Sequence, residues 1–198
     1  SVTMAHMSDL VRVLRSACSG ELAAGYAYRG HWKSLRAGAP ARERIRQIEA
    51  EEWHHRELVL GLLKELGAKP SVQREMLFFC IGKTIAFLCH LGGWFIPMYG
   101  AGKLESSNIR EYEHAAKFAQ AAGLTHMIDC LLTMAEVEWE HERFFREQIR
   151  GHWMLRFFPL WEVPPPKETI RAPYAVSESA RESPERARPE WSSLPLLP

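Results

Sequence analysis

The sequence predicts an all-α protein in which four long helices form two antiparallel hairpins. Apolar residues recur at three- and four-residue steps over long stretches. Short turns rich in Gly and Pro separate those stretches, and alternating strand patterns are absent. With 198 residues, the chain is long enough for one domain with a full core and a tail.

The first helix is expected to start at a Ser8 cap and to end near Gly38, leaving residues 1–7 as an extension. Leu10, Leu14, Ala17, Ala24, Tyr28, Trp32 and Leu35 mark its apolar stripe. The second begins at Pro40, suited to a first turn, carries Ile45, Ile48, Val59 and Leu62, and stops at Gly67 and Pro70. A third is expected over about 102–122. The fourth starts near Thr125 and shows Met127, Leu131, Met134, Phe145 and Ile149 on one face before Gly151. The turns at 37–40 and 123–124 are short, so each pair is antiparallel. The bundle is thus expected over 8–158, with a connection across about 71–101.

That connection is apolar, and Lys83 is the one formally charged residue between positions 76 and 98. Its length approaches a bilayer span, but Lys83, His90, Gly92-Gly93 and Pro97 interrupt it. A crossover helix is expected, either in contact with a membrane surface or covered by protein. Residues 159–198, with Pro164-Pro165-Pro166 and a Ser, Glu, Arg and Pro-rich run, read as a disordered tail. Trp161, Trp191, Leu194, Leu196 and Leu197 are its candidate anchors.

Lys and Arg number 25 against 24 Asp and Glu, a balance that gives no reason to expect a nucleic-acid partner. Cys18, Cys80, Cys89 and Cys130 lack CxxC spacing and lie in apolar helical contexts. They read as buried thiols of a reducing compartment. No secretory leader pattern is visible at the start, so a cytoplasmic protein with membrane association through 76–98 is expected.

The chief anomaly is acid on faces that ought to be apolar. Glu21 sits between Leu14 and Tyr28 on the first helix, where an unpaired carboxylate costs several kcal/mol and needs a metal, a cation or a proton. On the second helix Ile45, Ile48, Glu52, His55, Val59 and Leu62 share a face. On the fourth, Leu131, Met134, Glu138, His141 and Phe145 repeat the arrangement. Both helices carry the string Glu-Trp-x-His. Glu-x-x-His presents a carboxylate and an imidazole on one helical face. Two such helices plus one Glu from each remaining helix surround a dinuclear metal site. Carboxylates with imidazoles suit iron, with manganese as the alternative.

The third helix offers Glu105, Glu111 and Glu113. Glu21 lies 17 residues before Gly38 and Glu105 lies 18 before Gly123, so equal height above the turn favours Glu105. Glu111 is the second choice, and Glu113 shares its face with Lys117 and Gln120. Glu51 and His54 also form Glu-x-x-His, but their face runs back through Gln47 and Arg44, which suits solvent. The predicted ligands are Glu21, Glu52, His55, Glu105, Glu138 and His141. Tyr28 and Tyr112 are expected to bond ligand carboxylates or to pack in the core. Trp53 and Trp139 are read as packing residues. Arg42, Arg44, Arg46 and Arg56 with Glu43 and Glu49 are read as an ordinary charged face.

Gly20-Glu21-Leu22-Ala23-Ala24 with Tyr28 and Gly30, the following Glu-x-x-His, the apolar crossover with Gly100-Ala101-Gly102, and Glu138-Trp139-Glu140-His141 together resemble the ferritin-like di-iron carboxylate superfamily. Within it the chain is most similar to the demethoxyubiquinone hydroxylases, over about residues 8–150. The resemblance implies a ferritin-like bundle and a peripheral-membrane monooxygenase that inserts oxygen into a quinone ring. The spacing in that family's first hairpin would point to Glu51 and His54, against the periodicity.

The expected function is therefore an oxygen-dependent oxidoreductase with two iron ions, acting on dioxygen and an apolar, quinone-like small molecule. A homo-oligomer is compatible with this reading. The rivals are a ferroxidase or peroxide-detoxifying iron-handling protein and a non-catalytic membrane- or partner-binding scaffold.

Overall fold

The helices expected from the periodicity form, with some ends displaced. The computed structural model describes residues 1–181. They contain α1 (Val2–Ser34), α2 (Pro40–Glu65), α3 (Val72–Cys89), α4 (Phe95–Ala121), α5 (Ile128–Ile149) and α6 (Glu168–Arg181). No strand occurs among the described residues.

Helix α1 starts six residues before Ser8, and the Ser1 hydroxyl accepts from the Met4 N–H at 3.4 Å. Residues 2–7 hold no Gly or Pro, so nothing breaks the helix ahead of the expected cap, and the expected extension is its first turns. Helix α4 begins at Phe95 rather than near Gly102. Pro97 falls in its first turn, where no N–H partner is required, and so does not break it.

Helix α1 pairs with α2 and α4 with α5. Contacts of α1 with α4 and of α2 with α5 close the bundle. Leu10, Leu14, Ile45, Ile48, Val59, Leu131, Phe145 and Ile149 are fully enclosed, each burial stabilising by roughly 1.5–3 kcal/mol.

Helix α3 links the hairpins along the outside of α1, and the approach depends on two glycines. A Cβ on Gly30 would stand 2.4 Å from Ala86 Cα, and one on Gly82 would stand 2.7 Å from the Ala23 carbonyl oxygen. Because contact runs along this narrow stripe of small residues, α3 buries Gly82 and Cys89 and leaves its large apolar residues outside. Met76, Leu77, Phe79, Ile85, Phe87 and Leu88 are all exposed. Of the two alternatives expected for the crossover, cover by the rest of the described chain is the one corrected. Among the described residues no helix is long and apolar enough to cross a membrane. The cysteine expectation also needs correction, since Cys18 and Cys89 are buried but Cys80 is exposed and Cys130 half-buried.

Of the segment read as a tail, 159–167 has no long regular element. Trp161 packs near Gly102 and donates to Glu142 at 2.9 Å, as expected of an anchor. A separate compact unit begins at Pro165 and contains α6. The rest of the expected tail, with Trp191, Leu194, Leu196 and Leu197, lies outside the described residues.

Candidate metal centre

The bundle interior brings all six predicted residues together, none more than 4% exposed. Helix α1 supplies Glu21, α2 supplies Glu52 and His55, α4 supplies Glu105, and α5 supplies Glu138 and His141. They form two donor sets, Glu21, Glu52, His55 and Glu138, and Glu52, Glu105, Glu138 and His141. Within each set the ligand atoms lie within 4.8 Å of one another. Glu52 and Glu138 belong to both, which is the placement of carboxylates shared between two ions.

Both imidazoles turn Nδ1 inward. His55 Nδ1 is 2.9 Å from Glu138 Oε1 and 3.7 Å from Glu21 Oε1, and His141 Nδ1 is 3.1 Å from Glu52 Oε1 and 3.4 Å from Glu138 Oε2. The tyrosines cross between hairpins: Tyr28 of α1 donates to Glu105 of α4, and Tyr112 of α4 donates to Glu21 of α1. This is the first of the two roles expected for them.

Several polar atoms are buried here close to one another but without a well-aligned hydrogen bond: Glu21 Oε2, both Glu52 carboxylate oxygens, Glu138 Oε2 and His141 Nδ1. Burial, then the charge of Glu138, pushes the Glu52 and Glu105 carboxyls well above the carboxylate range. Glu138 goes the other way. Its burial acts upward but is outweighed by hydrogen bonds from Glu105, His141 and His55. His55 rises to about 11, because bonds to Glu138 and Glu21 overcome burial, and His141 is raised for the same kind of reason. Without a metal, these groups hold one another only by sharing protons. Four carboxylates balance two divalent cations, and the orphaned oxygens and nitrogen are donors that such ions satisfy. The residues present fit a two-metal group.

The alternatives fall elsewhere. His54 points outward, its side chain 65% exposed. Glu51 is half-buried and receives a hydrogen bond from His141 Nε2, and Arg44 lies 3.2 Å away on its other side. Glu111 accepts from Ser16 at 3.0 Å, and burial pushes its carboxyl up to about 7.

Two buried glutamates were not recognised from the sequence. Glu49, read as part of a charged face, is enclosed by donors from Trp32 at 2.9 Å, Trp53 at 2.7 Å and Arg29 at 3.0 Å. Glu142 is held by Arg146 at 2.8 Å and Trp161 at 2.9 Å. The three-residue offset of Glu49 from Glu52 and the one-residue offset of Glu142 from His141 gave no hint, because Trp32 and Trp161 donate from other segments, and Trp53, one turn along α2 from Glu49, read as a packing residue.

A cavity of about 630 Å³ runs between α1, α3 and the start of α4. Ile85, Leu88, Leu91, Ile96 and Leu104 line it and are also exposed, so it opens on the apolar outer face of α3. Its inner wall includes Tyr28, which carries the hydrogen bond to Glu105.

A helical bundle with four carboxylates and two imidazoles converging in its interior is the arrangement of the di-iron and di-manganese carboxylate class. The chain belongs to the family described as ubiquinone biosynthesis protein COQ7, whose pattern matches residues 8–106. That family consists of di-iron hydroxylases of ubiquinone biosynthesis, which makes this protein an oxidoreductase. The matched region includes Glu21, Glu52, His55 and Glu105, while Glu138 and His141 lie beyond it. Neither a curated protein nor a solved structure matches the chain.

Proposed function

We propose that Glu21, Glu52, His55, Glu105, Glu138 and His141 hold two iron ions and that the protein uses dioxygen to hydroxylate the ring of a quinone-like substrate with an apolar chain. The observation that carries this reading is the apolar cavity, which ends at the tyrosine bonded to Glu105. Two bound ferrous ions would supply the electrons for reducing dioxygen.

The protein's own groups prepare that chemistry. Glu51 keeps the proton on His141 Nε2, which leaves Nδ1 free as a metal donor. Tyr28 and Tyr112 fix Glu105 and Glu21 from opposite hairpins and stay protonated, burial raising both phenols. The cavity's aliphatic wall keeps water from the ring and accepts the chain. The exposed apolar face of α3 fits a lipid surface, where a substrate of this kind resides.

The test is a single turnover of a short-chain methoxybenzoquinol under isotopically labelled dioxygen by protein loaded with two ferrous ions, whose two electrons would go with two protons to the oxygen atom released as water. The reading predicts one labelled oxygen on the ring. Dioxygen consumed with ferrous iron but without ring product would favour the iron-handling rival instead.

A further inference from the structure

Apart from the Cys89 thiol, two polar side chains stand on the wall of the apolar cavity: Tyr28 and His31. They lie one turn apart on α1 and face the same way. Tyr28 is committed to Glu105, but His31 is not committed to anything. The residue is 3% exposed, no hydrogen bond among the described residues reaches either ring nitrogen, and Nε2 is sealed from solvent. The imidazole lies parallel to Phe145 at 6.0 Å, and Tyr28 lies parallel to the same ring at 5.6 Å.

A buried donor left without a partner costs about 1–3 kcal/mol, whereas a leucine in that place would pack without loss. A chamber built only for a hydrocarbon chain has no use for an imidazole there. Burial lowers the His31 pKa to about 4, so the ring is neutral near pH 7 and offers one N–H donor and one acceptor.

We infer that His31 is the specificity-determining residue of the cavity, binding a ring oxygen of a quinone-like substrate through its imidazole. This rests on the reading of the cavity as the substrate chamber. A ring oxygen held by His31 sits beside the aromatic wall that His31 shares with Tyr28, and so orients the ring toward Glu105 rather than toward the α3 surface.

The experiment is equilibrium dialysis of the full chain, without reductant, against two probes. One is a methoxybenzoquinone with a short isoprenyl chain, and the other is the same chain on a benzene ring lacking oxygen. The unsubstituted protein should prefer the quinone by about tenfold, the equivalent of one hydrogen bond. His31→Leu should abolish that preference while binding the oxygen-free probe at least as tightly, which also shows that it has folded. His31→Asn should restore part of it. Full preference retained in His31→Leu overturns the inference. Equal binding of both probes by the unsubstituted protein overturns it while leaving the chamber reading intact. Binding of neither overturns the chamber reading as well.

Discussion

The two hairpins bring the same Glu-Trp-x-His string to the centre, on α2 and on α5, yet they surround it unequally. His55 and His141 both face inward through Nδ1. Behind His141 stands Glu51, which also pairs with Arg44 and has a side chain 39% exposed, so that half of the centre has a polar path to the surface. Among the described residues, Glu21, Glu52 and Glu138 are the carboxylates within 4.0 Å of His55, and all three belong to the centre itself. The repeat in sequence therefore sets the inner donors alike, while the outer partner depends on which helix lies behind each ring. The two donor sets therefore differ in what stands behind their imidazoles.

The shared carboxylates give the strongest test, because their loss should erase the difference between the halves. Glu138→Ala is expected to reduce metal content from two ions per chain to essentially none, measured by elemental analysis after anaerobic loading. Glu21→Ala, which touches one donor set, should leave the other position filled.

A third buried histidine sharpens the contrast between rings with carboxylates and a ring without them. His31 has no such partner, and burial lowers its pKa to about 4, whereas His55 is raised to about 11. With the folded value below the unfolded one, the unfolded chain binds more protons between about pH 6.5 and 4. Stability is then lost as pH falls through that window, by up to about 3 kcal/mol. The raised Glu52, Glu105 and Glu111 carboxyls act in the opposite direction, so urea titrations at pH 7 and pH 4.5 should reveal the His31 loss as the difference between the unsubstituted metal-free protein and His31→Leu.

Glu51→Leu addresses the asymmetry directly. It is expected to weaken the position served by His141 by about 10–100-fold and to spare the position served by His55. A cobalt titration followed in the visible spectrum should then resolve one tight and one weak site. Equal weakening of both would remove the distinction between halves.

The smallest effects come from the tyrosines. Tyr28→Phe and Tyr112→Phe each remove one donor to a buried carboxylate and should cost about 1–2 kcal/mol in metal-free stability by thermal denaturation. Tyr28→Phe should also change KM for a quinone-like substrate, since Tyr28 alone of the pair lines the cavity.

Much of this arrangement was legible because a charged residue on an apolar stripe is conspicuous. Glu21, Glu52, His55, Glu138 and His141 each interrupt such a stripe, and Glu105 emerged from its height above the hairpin turn. The register on α2 also followed from periodicity, since His54 faces solvent while Glu52 and His55 face the interior.

What was missed depended on contacts between segments distant in sequence. Glu49 read as part of a charged face and Glu142 drew no reading, because the indoles of Trp32 and Trp161 that reach them come from other segments. Glu51 looked like a surface residue because its partner, His141, lies 90 positions away. The openness of α3 was undecided because composition marks a helix as apolar without saying what covers it. That depended on the Gly30 and Gly82 contacts, which hold α3 against α1 along a narrow stripe.

The central claim is a two-metal centre built from six interior donors, and anaerobic titration of the full chain with ferrous ion tests it most directly. The account predicts saturation at two equivalents, in two distinguishable steps, with both lost in Glu138→Ala. Saturation at one equivalent or none, or two equivalents retained by Glu138→Ala, would contradict it.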